Sequence, residues 1–112
     1  MTRPMLNRPL VLEERVRSAD GAGGYIETWQ ALGTLWGELK AGAGRERGEG
    51  YAALSKAAYR ITIRAAPPGA PSRPKAGQRF RDGARLFDIL AVLDAGYDGR
   101  FLTCMASEEV VA

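Results

Sequence analysis

Tyr59-Arg60-Ile61-Thr62-Ile63-Arg64 alternates without a break, with Tyr59, Ile61 and Ile63 on one side and Arg60, Thr62 and Arg64 on the other. Successive side chains of a strand point to opposite faces, so this stretch predicts a strand with one face in a core and one in water. Just upstream, the alanines of Tyr51-Ala52-Ala53-Leu54-Ser55-Lys56-Ala57-Ala58 favour a short helix, with Tyr51, Leu54 and Ala58 on one side. Gly42 to Gly50 is glycine-rich and charged and reads as the loop leading into it.

Further upstream, Tyr25 to Leu39 has the period of a strand. Its pattern sets Trp29, Ala31, Leu35 and Leu39 on one face and Thr28, Gln30, Thr34 and Glu38 on the other, interrupted by Leu32 and Trp36. Leu10 to Val16 reads as a first strand, joined to it through the turn formers Ser18 to Gly24. Downstream, Ala65 to Gly77 holds Pro67, Pro68, Pro71 and Pro74. Proline lacks a ladder donor, so this segment is expected to be an extended, mobile arm reaching roughly 40 Å when stretched. Arg79 to Arg81 and Arg85 to Leu93 form a hairpin around Asp82-Gly83, and Phe101 to Ala106 is the last strand. About six strands at short intervals predict a mainly β, single domain over residues 1–112. The expected form is a small closed or partly open antiparallel barrel with one short helix and the proline-rich loop, since closure removes exposed edges.

Composition bounds the rest. At 112 residues and 46% apolar, the chain can build one modest core and no second one. A net charge of +3 permits nucleic-acid contact but does not demand it. With no His and the single Cys104, a zinc-finger ligand set and an internal disulfide are excluded, and synthesis in a reducing cytoplasm fits. No apolar run approaches the roughly 18 residues of a membrane span, and the start has no signal-peptide core. No cofactor or metal is expected.

The order of these features resembles the phage head-tail joining family, the head-closure or stopper proteins. The likeness is carried by Leu10-Val11-Leu12-Glu13, the Gly23-Gly24 turn, and Trp29 and Trp36 inside Trp-Gln-Ala-Leu-Gly-Thr-Leu-Trp-Gly-Glu-Leu. It continues through Gly44-Arg45-Glu46, Tyr59 to Arg64, and Gly77-Gln78-Arg79-Phe80 with Leu86-Phe87-Asp88-Ile89. The resemblance implies a non-catalytic barrel subunit of a homo-oligomeric ring, a hexamer or dodecamer. Such a ring sits in the particle neck between a portal or adaptor protein above and a tail terminator below, around a channel for double-stranded DNA. The Ala-, Arg- and Gly-rich composition also suits a gene transfer agent, a domesticated phage-like particle. One departure is Gly37, where such proteins carry a small alanine-like residue; it implies slightly looser strand packing.

Within that frame the basic residues around the proline-rich segment, Arg64, Arg73, Lys75, Arg79 and Arg81, are candidates for the channel wall, where a ring repeats each charge about its axis. Trp36, Arg45, Glu46 and Arg60 are the candidates for contact between subunits. Trp29 and Trp36, seven apart, are expected on opposite strand faces and so cannot form one stacking platform. That weakens the alternative of a single-stranded nucleic-acid binder on an OB-like barrel. The loop Gly42 to Gly50 lacks the Gly-Lys-Ser/Thr ending of a phosphate loop. Glu13, Glu14, Asp88, Glu108 and Glu109 show no acid-base spacing and read as solvated surface or inter-subunit ion pairs. Cys104 has no His to activate it and reads as an inert core thiol.

Overall fold

The computed structural model describes residues 3–42, 56–96 and 99–109. Six strands appear in order: β1 (Arg8–Ala19), β2 (Tyr25–Ala41), β3 (Lys56–Arg64), β4 (Arg79–Asp82), β5 (Arg85–Asp94) and β6 (Phe101–Glu109). All neighbours are antiparallel, and the order β1-β2-β3-β6-β5-β4 closes on itself when β4 meets β1. The ring is irregular. Its closing seam is only Val11↔Arg81, Leu12↔Phe80 and Glu13↔Arg79.

The core follows from the alternation read in β3. Ile61 opposes Cys104 and Ile63 opposes Leu102 across β3 and β6, while Phe80 opposes Leu12 on one side and Phe87 on the other. These residues, with Leu10, Ile89 and Ala106, are sealed from water. Each large apolar side chain so buried contributes about 1.5–3 kcal/mol.

Two bulges decide which side chains join them. Leu12 pairs with Gly33 but Glu13 pairs with Ala31, which leaves Leu32 as an extra residue in β2. Gly33 takes a φ of 149°, a backbone angle that suits glycine. The shift turns Leu32 toward the core beside Leu35 and Leu39. It also corrects the facing predicted from strict alternation: Trp29 and Ala31 oppose Arg15 and Glu13 on the outer side. Since Trp36 opposes Pro9, also outward on β1, both tryptophans lie on the same outer face and not on opposite ones. In β5, Leu90 is the extra residue between Ile89↔Ala106 and Ala91↔Met105, and it stands in solvent.

Three expectations about local structure change. The predicted helix over Tyr51 to Ala58 has its first five residues outside the described ones, and Lys56 to Ala58 open β3. Their pairing with Ser107 to Glu109, and the Gly42 amide donating to the Ala58 carbonyl at 2.7 Å, override alanine's helix preference. The segment 65–77 forms no strand, as its prolines require, yet it is not extended. Its turns are fixed by the Ala70 amide on the Pro67 carbonyl, the Arg73 amide on the Ala70 carbonyl, and the Arg73 guanidinium on the Ala66 carbonyl, and Pro74 is buried. Gly37 is tight, not loose: a Cβ there would lie 2.9 Å from Leu10 Cδ1 and 3.1 Å from the Thr62 carbonyl oxygen.

Candidate assembly and nucleic-acid surfaces

Because Phe80 points inward, Arg79 and Arg81 must both point outward, on the face that carries Glu13 across the seam. Glu13 accepts from Arg79 Nε at 2.7 Å and from Arg81 Nε at 2.8 Å, and its side chain is only 8% exposed. Burial pushes this carboxyl up, but the hydrogen bonds from Arg81 and Arg79 outweigh it and hold the pKa below its ordinary value. The arginines therefore clamp the seam as well as carrying charge. Glu14, on the opposite strand face, accepts from Gln78 Nε2 at 3.0 Å.

The same outer face continues along β1 and β2. Arg79 lies over the Trp29 ring at 3.9 Å and Arg15 over it at 5.2 Å, while Arg17 lies over Tyr25 at 4.6 Å. Arg15 also faces Glu27 at 3.9 Å. Guanidinium groups on aromatic faces are held by the ring quadrupole. Arginine already lies over the Trp29 ring, so the shared facing of the two tryptophans does not by itself supply a base-stacking platform.

The other channel candidates gather where the 65–78 connection meets the barrel. Arg64 ends β3 and lies over Phe101 at 5.8 Å, Arg73 is half-buried in the turns, and Lys75 is exposed. Arg79 begins β4 at this same end. The opposite end is closed by Arg85, which donates to both Glu108 oxygens at 2.8 and 3.0 Å and to Tyr59 Oη at 3.1 Å. Tyr59 in turn meets Phe87 edge-on at 5.2 Å. The hydrogen bond from Arg85 to Glu108 raises the guanidinium's pKa further above its ordinary value. Arg8 and Asp82 pair at this end too.

Sequence reasoning missed both clamps. Glu13 and Glu108 read as surface carboxylates, whereas each is held within the chain by arginine. For Glu13 the available signal was Arg79-Phe80-Arg81, whose spacing puts two cations on one strand face. Asp88 is exposed, and no described residues form a cluster able to hold a metal. Burial raises the Cys104 thiol to about 12, as suits an inert core residue.

Of the four subunit-contact candidates, Arg45 and Glu46 lie outside the described residues. Trp36 stands 55% exposed on the outer face of β2. Arg60 lines an outer groove of about 480 Å³ with Ala58, Leu90, Leu93, Thr103 and Met105. Leu90 and Leu93 are 62% and 53% exposed, a signal hidden in the sequence because the β5 bulge sets their facing.

Comparison with known families is decisive: residues 1–109 match the model of the phage head completion protein. The chain belongs to that family. Its members are structural proteins of the phage particle, and the chain has a structural role in the head-tail region. No curated protein matches the chain. Among solved structures, a chain of the "Virion of native gene transfer agent (GTA) particle" is 55% identical. The match covers 98% of this head completion protein and 100% of that chain, with a TM-score of 0.82. The likeness read from the strand order and the Trp29–Trp36 stretch is thus confirmed over almost the whole length.

Proposed function

We propose that this head completion protein is a ring subunit in the neck of a gene-transfer-agent-like or phage particle, joining the portal or adaptor above to the tail terminator below. The carrying observation is the family match over residues 1–109 together with the full-length likeness to a chain of a gene transfer agent virion. Outward Trp36 and the Arg60–Leu90–Leu93 groove support the ring. They are two different apolar patches, as a head-to-tail contact between identical copies requires. A hexamer or dodecamer closes such contacts.

Arg64, Arg73 and Lys75, with the partly neutralised Arg79 and Arg81, face the DNA channel in this reading. Contact is to phosphates and so indifferent to sequence. Deleting the gene should leave DNA-filled heads without tails, and density for this chain should form a ring below the portal in particle images. Tailed, infective or transducing particles made without the protein would overturn the reading.

A further inference from the structure

Beyond the barrel, β1 and β2 run on as a two-stranded ribbon of six pairs, from Glu14↔Gln30 to Ala19↔Tyr25. β4 reaches β1 only over Val11 to Glu13, and β3 reaches β2 only over Gly37 to Ala41. Among the described residues both ribbon edges are therefore unpaired, each with backbone donors and acceptors facing outward. Natural sheets guard such edges with charged side chains, Lys above all, or with Pro, a bulge or a covering element. These stretches contain neither Lys nor Pro, and their charges, Glu14, Arg15, Arg17 and Glu27, are of both signs and so do not simply repel a like edge. Tyr25 and Ile26 are 65% and 50% exposed.

The ribbon is nonetheless set in shape. The Asp20 carboxylate accepts from the amides of Ala22 at 2.7 Å and Gly24 at 3.0 Å, and the Asp20 amide donates to the Gly24 carbonyl. Trp29 under Arg79 ties its base to β4. A strand pair already formed, with two open edges, is preorganised to accept another strand, since less ordering remains to be done on contact.

Resting on the ring reading above, we infer that the open β1 edge of one copy pairs with the open β2 edge of the next, antiparallel, making a sheet continuous between subunits. Charge complementarity selects a second copy as the occupant. The β1 edge carries Arg15 and Arg17 on the outer face, and the β2 edge carries Tyr25, Glu27 and Trp29 there. Repeating the ribbon's own register between copies sets Arg17 against Glu27 and Arg15 against Trp29, which are register partners inside one chain too; there Arg15 lies over Trp29 and also pairs with Glu27 at 3.9 Å. One edge of each kind per copy gives a head-to-tail contact that a rotation closes.

The test uses two full-length variants expressed singly and together in particle-producing cells lacking the native gene. Glu27→Arg sets arginine against arginine at every contact between copies, and Arg17→Glu sets glutamate against glutamate. Mixed, the two variants restore opposite charges at every contact of an alternating ring. Within each variant chain residues 17 and 27 carry like charges whether or not the other variant is present, so only an intermolecular contact can be rescued. Each variant alone should lower tailed-particle yield by about tenfold or more, and co-expression should recover most of it. Native yield from either variant alone, or no recovery on mixing, overturns the inference. Failure of the ring reading itself shows separately, as tailed particles made when the gene is deleted.

Discussion

The barrel and the ribbon are built from the same two strands and held in opposite ways. Below the Leu32 bulge, β1 and β2 set Leu10, Leu12 and Leu35 against Phe80 and Ile63, and stability comes from apolar area removed from water. Above it, nothing described covers either face fully, and the ribbon is held by cross-strand pairs, arginines on aromatic rings and an Asp20 turn. One chain thus separates a part that fixes the fold from a part left available. Two-stranded hairpins alone are marginal in water, so the ribbon depends on the barrel for its order.

The largest effect that would sharpen this contrast comes from the core. Phe80 is completely buried and bridges β1 to β5 through Leu12 and Phe87. Phe80→Ala is expected to destabilise by about 3–5 kcal/mol in a denaturant titration, since the seam beside it is short and collapses poorly around a cavity. A loss below about 1 kcal/mol would mean that the seam does not hold the barrel closed.

Between the two regions sits Glu13, and its effect should be intermediate. Glu13→Gln leaves Arg79 and Arg81 without their shared carboxylate, costing roughly 2 kcal/mol at neutral pH, moderated because the Arg81 side chain is 40% exposed. The sign of the pH dependence follows from the lowered pKa. The carboxylate's contribution is fully present above its ordinary value of 4.5 and is lost as pH falls through its lowered value. Thermal melts of the native chain and Glu13→Gln should therefore differ at pH 7 and converge in strong acid. A constant gap down the pH range would show that the clamp is not electrostatic.

The same division governs what could be read from residues alone. Strand β3 and the hairpin around Gly83 were legible because strict alternation and a positive-φ turn are local signals; Gly83 adopts a φ of 64°. The facing of Trp29, Leu32 and Leu90 was not, because one inserted residue in β2 and one in β5 reverses parity, and only the partner strand reveals an insertion. Lys56 to Ala58 likewise obey their β6 partner over their own propensity. Trp36 stood out as an interface candidate because it interrupts the polar face of its strand. The groove beside Arg60 and the Glu13 clamp needed the register that brings distant strands together.

The smallest expected effect lies at the ribbon tip. Tyr25→Ala removes a ring that is 65% exposed and stacked by Arg17 at 4.6 Å. An exposed pair of this kind is worth about 0.5–1 kcal/mol, and because the ribbon is not part of the core, little of that should reach global stability. Melting of the isolated protein should shift by no more than a few degrees. Hydrogen exchange should speed up in Tyr25 to Gln30 alone, while the amides of Ile61 and Ile63 remain as protected as in the native chain. If Tyr25→Ala instead lowers protection in β3, the ribbon and barrel unfold as one unit, and the independence that leaves the ribbon's edges free for another strand is lost.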